Sequence, residues 1–144
     1  MIKLHPLMLL FAILLVMSPL LVVEAHEEKR TGATTADRKT QVIPLPENST
    51  DYFQILSPPT TVTIRSGLVT LLPGKNVGRH PTGDFEEVVI PLEGEGEMDV
   101  TGKGKTKFHY GQVLYAPPGT EHDVLNTGKK VLRYIYLVAQ APKG

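Results

Sequence analysis

The 144-residue chain contains no cysteine and no tryptophan. The missing cysteine excludes disulfides, thiolate-bound zinc, iron–sulfur clusters, cysteine nucleophiles and lipid attachment through a thiol. Net charge is missing too, since 15 Lys and Arg balance 15 Asp and Glu. A balanced chain lacks the basic field that a nucleic-acid partner requires. Beyond residue 25, no stretch shows the apolar spacing of an amphipathic helix. No phosphate loop, dinucleotide fingerprint or Ser–His–Asp spacing appears. The length allows one domain.

What is present is unevenly spread. Residues 1–25 hold 19 of the chain's 59 apolar residues. Lys3 supplies a positive start, Leu7 to Met17 is an unbroken apolar run, and Ser18 and Pro19 interrupt it. Val23-Glu24-Ala25 offers small residues for cleavage after position 25. This is the pattern of a secretory signal peptide, and the run falls short of the ~20 apolar residues of a spanning helix. An uncleaved N-terminal anchor is the other reading, and the only membrane attachment the sequence offers. Either way the rest of the chain is expected outside the cytoplasm, periplasmic or secreted. Residues 26–41 are polar, without apolar periodicity, and read as a flexible linker. Residues 42–144 form the folded domain.

That domain is a series of short β-branched and aromatic runs separated by Gly, Pro, Asn and Asp. Strands are predicted near 42–45, 52–56, 60–65, 67–72, 86–92, 96–100, 105–109, 112–116, 121–126 and 131–138. Val62 and Ile64, and Leu132, Tyr134, Tyr136 and Val138, carry the period of two of a half-buried strand. Gly102, Gly104, Gly111 and Gly128 fall in the intervals, as turns require. Many short strands with regular turn signals imply an all-β sandwich or barrel. With no disulfide available, closure of the sheet must protect its edges.

Two segments carry most of the histidine and glycine pattern. The first has Gly74, His80, Thr82, Glu87 and Gly94; the second has Gly111, Pro117, Gly119, His122 and Asn126. Their order and spacing resemble the two motifs of the cupin superfamily, in its small single-domain, type-2-like form. The second motif matches at every position. In the first, Thr82 stands where the family has the second histidine of a His-x-His pair. The resemblance covers residues 67–138 and implies a jelly-roll β-barrel, the double-stranded β-helix. It also implies a metal held by His80, Glu87 and His122, two imidazoles and a carboxylate. That composition suits divalent Fe, Mn, Ni, Zn or Cu and leaves coordination positions open. A Thr82 hydroxyl is a poor ligand but can hydrogen-bond a bound water or a substrate oxygen.

Glu86 competes with Glu87, because strand neighbours face opposite ways and only one reaches a given site. The spacing to Gly94 selects Glu87, and Glu86 then points outward, or pairs with Arg79 or Arg133. Parity with Glu87 turns Val89 inward, and Met98 and Val100 face in opposite Glu97 and Asp99. Tyr134 and Tyr136 offer hydroxyls to a ligand, or serve as buried core. Lys103, Lys105, Lys107 and His109 read as a solvated basic face, and Asn126 as a structural turn residue tolerant of positive φ. Two classes of function remain. One is a metal centre with an open site for a small-molecule ligand or substrate, the metal acting as Lewis acid or oxygen activator. The other is a metal-free module that binds a sugar or an aromatic acid without catalysis. Pairing of exposed strands would make a homodimer.

Overall fold

A computed structural model describes residues 38–142. The signal-peptide reading of 1–25 and most of the linker reading of 26–41 lie outside the described residues. The described chain is all β, in nine strands and two sheets. In chain order they are β1 (Tyr52–Leu56), β2 (Arg65–Leu71), β3 (His80–Pro81), β4 (Phe85–Glu93), β5 (Glu95–Val100), β6 (Gly104–His109), β7 (Leu114–Ala116), β8 (Glu121–Leu125) and β9 (Leu132–Gln140). One sheet runs β1-β2-β9-β4-β7 and the other β3-β8-β5-β6, with every named pairing antiparallel. This is the jelly-roll double-stranded β-helix. No helix among the described residues is long and apolar enough to cross a membrane.

Two expected strands are absent. Residues 42–45 form no strand, and 60–65 is a turn and bend region from which only Arg65 joins β2. Val62 stands 68% exposed, so the alternation of Val62 with Ile64 marks no buried face. Conversely, the two-residue β3 is too short to leave a periodic signal. The β9 strand runs two residues further than expected, to Gln140, paired with Phe85.

Directly opposed residues share a face of the sheet, so the register lays out the interior in rows. In the first sheet one row is Ala116, Glu87, Val138 and Arg65, on β7, β4, β9 and β2. The next is Leu114, Val89, Tyr136 and Gly67, and below it lie Tyr134 and Val69, then Leu132 and Leu71. In the second sheet His80, His122 and Val100 make one row, Val124, Met98 and Thr106 the next, and Gly96 and Phe108 the last. Both sheets therefore grade from polar at one end to apolar at the other.

The apolar end is closed by contact between the sheets. A Cβ on Gly96 would sit 2.7 Å from Leu132 Cδ2 and 2.9 Å from Phe108 Cζ, so glycine there lets the two side chains meet. Asn126 ties the same end together. Its amide donates to the Leu71 and Lys130 carbonyls at 2.8 and 2.9 Å, and its oxygen accepts from Gly128 N–H at 2.9 Å. Its role is structural as expected, but φ is negative; the amide contacts, not a left-handed backbone, require it. Val69, Val89, Met98, Val124 and Tyr134 complete the core between the ends.

Candidate metal centre

The polar end brings together the three residues expected there. His80 on β3 and His122 on β8 are opposed across the antiparallel pair, with ring centroids 4.6 Å apart. Glu87 reaches them from β4 in the facing sheet, its Oε2 3.2 Å from His122 Nε2. One donor atom from each of the three lies within 4.8 Å of the others. Donors on one ion at about 2.1 Å sit roughly 3 Å apart, so the set is slightly open. His122 is fully buried, Glu87 is buried, and His80 is exposed at the rim.

Both rings are aimed by backbone carbonyls. His80 Nδ1 lies 2.8 Å from the Gly78 carbonyl and His122 Nδ1 3.3 Å from that of Thr120. A carbonyl only accepts, so Nδ1 carries the hydrogen in each ring and Nε2 is left as the ligand atom. In the neutral His122 ring, the buried Nε2 lone pair then faces the Glu87 carboxylate. The contact lacks the direction of a hydrogen bond, and Nε2 has no hydrogen-bond partner. Two acceptors at 3.2 Å repel unless a proton or a cation lies between them. The proton is the alternative at His122. Burial disfavours its charged form, but the Glu87 carboxylate and the Thr120 carbonyl outweigh burial and raise its pKa. A divalent cation satisfies the same two atoms and recruits His80, so the donor set fits a transition metal with nitrogen and oxygen ligands.

Outer partners hold this arrangement. Asp123 accepts from the Gly78 N–H at 3.0 Å and from the Asn76 amide, fixing the segment whose carbonyl orients His80. Arg79 bridges from that segment to β5, with Nη2 2.8 Å from Asp99 Oδ2 and Nη1 2.6 Å from Thr101 Oγ1. Arg79 is thus not the partner of Glu86. Arg133, the other expected partner, donates to the Pro46 carbonyl instead. Glu86 faces outward as expected and accepts from the Tyr115 hydroxyl at 3.1 Å.

Thr82 departs from the expectation that its hydroxyl serves a bound water or substrate. The hydroxyl donates to the Pro117 carbonyl at 3.0 Å and accepts from Thr120 N–H at 2.9 Å. The Thr82 N–H also donates to the Thr120 carbonyl, the one that orients His122. The residue in the missing histidine's place therefore braces the loop behind the remaining buried ligand. Met98 is a core side chain away from this centre.

Beside the three donors lies a cavity of about 380 Å³. Thr82, Val124 and Tyr134 line its inner part, and Tyr52, Arg65 and Tyr136 its outer part. Both expected tyrosines border it. Tyr134 is buried in the core, and burial raises its phenol pKa, so it is a neutral hydroxyl. Tyr136 is half-buried and stacks on Tyr52 with centroids 6.2 Å apart and hydroxyls 2.9 Å apart. A Cβ on Gly67 would meet both rings at 2.6 and 2.8 Å, so that glycine makes room for the aromatic wall. Sequence reasoning missed Tyr52, Phe85 and Arg65. Assigning 60–65 to a separate strand broke the parity that would have carried Val69 and Gly67 on to Arg65.

An all-β double-stranded β-helix with a His–Glu–His cluster at its open end defines a class of small barrel proteins with a ligand-sized interior. The family model described as a cupin domain matches residues 67–138, and the chain belongs to that family. Solved structures agree on the fold. A Cupin 2 conserved barrel domain protein from Salinispora arenicola is 22% identical, with a TM-score of 0.60 over 72% of this chain and 92% of that one. An RmlC-like cupin family protein from Methanocaldococcus jannaschii is 14% identical, with a TM-score of 0.61 over 72% and 93%. The cupin domain of Schizosaccharomyces pombe Cnp3 is 19% identical, with a TM-score of 0.56; the match spans 62% of this chain and 63% of that domain. No curated protein matches the chain.

Proposed function

We propose that this domain holds one divalent transition metal through Nε2 of His80, Nε2 of His122 and the Glu87 carboxylate, with positions left open to a small molecule in the adjoining cavity. One observation carries the reading. A fully buried Nε2 lone pair and a carboxylate face each other at 3.2 Å without a hydrogen bond, while the ring's other nitrogen is committed to a carbonyl. When bound, the metal would polarise a ligand oxygen as a Lewis acid. The chain's own residues supply the rest. The carboxylate cancels one of the ion's two charges, and the Gly78 and Thr120 carbonyls fix the rings. The neutral Tyr134 hydroxyl stands at the cavity wall with no hydrogen-bond partner among the described residues. Metal identity is left to the assay among Fe, Mn, Ni, Zn and Cu.

The test is elemental analysis of the purified protein together with titration of those metals into chelator-treated protein. About one ion per chain is expected, and none in His122→Ala. No metal on isolation and no uptake on titration would sink the proposal. A metal-free binding module is the second reading, favoured by the same raised His122 pKa, since a proton can occupy the place of the ion. The aromatic cavity would then bind its ligand equally well with and without chelator. Export completes the proposal, with cleavage after Ala25 releasing the domain to the periplasm or medium. N-terminal sequencing of protein from cell fractions tests it, and sedimentation of the same sample tests for a homodimer.

A further inference from the structure

Among the described residues, Arg65 is the one arginine that lines the cavity. It shares an inward row with Glu87, two strands away through Val138, which sets their Cα atoms roughly 10 Å apart. Its guanidinium lies over the Phe85 ring, 5.5 Å from the centroid. The cation–π contact favours that position at the exposed rim of the cavity, and no hydrogen bond among the described residues uses its N–H donors. Among the described residues, no carboxylate pairs with it. An unpaired cation at the rim thus borders a cavity whose side walls are the aromatic Tyr52, Phe85 and Tyr136.

The charge balance points the same way. A divalent ion with Glu87 leaves one net positive charge, and Arg65 adds a second at the mouth. A volume of about 380 Å³ corresponds to roughly a dozen water volumes, enough for one substituted ring.

We infer that the ligand is a small aromatic carboxylate, with its ring against the Tyr52, Phe85 and Tyr136 wall and its carboxylate on Arg65. This rests on reading the cavity as the ligand site and not on the identity of the metal. A two-pronged guanidinium–carboxylate contact is geometrically specific, so Arg65 sets the preference for an acid over a neutral ring.

The probe pair is 4-hydroxybenzoate and its neutral amide, 4-hydroxybenzamide, titrated calorimetrically into the full mature protein of measured metal content. Wild type is expected to bind the acid at least about tenfold tighter than the amide. Arg65→Gln should erase that preference with metal content unchanged, and Lys107→Gln, exposed on β6 and outside the cavity, should keep it. Equal affinity for acid and amide, an acid preference that survives Arg65→Gln, or binding of neither probe would overturn the inference. Failure of the metal reading shows separately, as a protein without metal before any probe is added. In that case an acid preference that depends on Arg65 would still support the inference.

Discussion

The two ends of the barrel are built from the same inward rows and differ in what the rows carry. At the closed end, Leu132 and Phe108 meet over Gly96, and the fully buried Asn126 side chain has its amide bonded throughout. At the open end, His122 is just as deeply buried, yet its Nε2 has no hydrogen bond. Burial without satisfaction costs stability. The contrast separates an end that holds the fold together from one that leaves donor atoms unsatisfied for a ligand.

The sharpest way to break this contrast is to damage the closed end. Phe108→Ala should cost about 3–5 kcal/mol in urea unfolding, because the ring fills the contact with Leu132 and nothing flexible can replace it. If the ends are as separate as their rows suggest, the variant that still folds should load metal at the wild-type ratio. Thr82→Val is the next largest. It keeps the volume and removes the hydroxyl, leaving the Pro117 carbonyl and the Thr120 N–H without their partner, at a cost of about 1–3 kcal/mol. Its metal affinity should also fall, because the loosened Thr120 carbonyl no longer fixes His122. A Thr82→His variant loses the same brace, so a gain in affinity from a fourth ligand must be read beside its unfolding curve.

Glu87→Gln should move the two properties of the open end in opposite directions. The amide can donate to His122 Nε2, which replaces two facing acceptors with a hydrogen bond worth about 1 kcal/mol. Where His122 is neutral, metal-free stability should hold or rise, while metal uptake falls because a neutral amide is a weak ligand. The pH dependence shows the cause. His122 has a folded pKa raised above its ordinary 6.5. Its contribution to stability is therefore complete below that ordinary value and is lost as pH rises through the folded value. Metal-free wild type should thus lose stability between about pH 6 and pH 8, in the window where histidine titrates. Metal-loaded protein should gain over the same interval, because the ion displaces that proton. In Glu87→Gln the metal-free decline should be much reduced. Thermal melts at the two pH values, with and without chelator, check all three statements.

The sequence exposed the open end better than its surroundings. His80, Glu87 and His122 were legible because their spacing from glycine and proline turns resembles the two cupin motifs; strand parity allowed only one of Glu86 and Glu87, and the motif spacing to Gly94 chose Glu87. Those are local rules. The inward faces of β4, β5 and β9 were legible from alternation along each strand, which in β4 holds up to the irregularity between Pro91 and Glu93. What stayed hidden depends on contacts far apart in the chain. Arg65 and Tyr52 border the cavity only through β2–β9 and β1–β2 pairing, and β3 exists only because β8 gives it a partner. Thr82 was legible as a missing ligand but not as a brace, because its partners lie 35 and 38 residues away. The exposed stretch around Val62 mimicked a strand, since alternation alone does not require a partner.

The smallest effect tests how far the open end depends on its exposed rim. The Arg79–Asp99 pair is well exposed on both sides, with side chains 39% and 36% accessible. Such pairs contribute about 0.2–1 kcal/mol, so Arg79→Ala should barely shift the urea midpoint. The same arginine, however, ties the segment just before His80 to β5 through Asp99 and Thr101. His80 is the exposed ligand, and its short strand has only β8 beside it. A modest loss of metal affinity at nearly unchanged stability is therefore expected, measured by competition with a chromophoric chelator. An affinity identical to wild type would mean that the Gly78 carbonyl and the pairing of β3 with β8 suffice to aim His80. A large loss of stability would mean that the two ends are not energetically separate, since an exposed ion pair at one end would then be supporting the packing of the other.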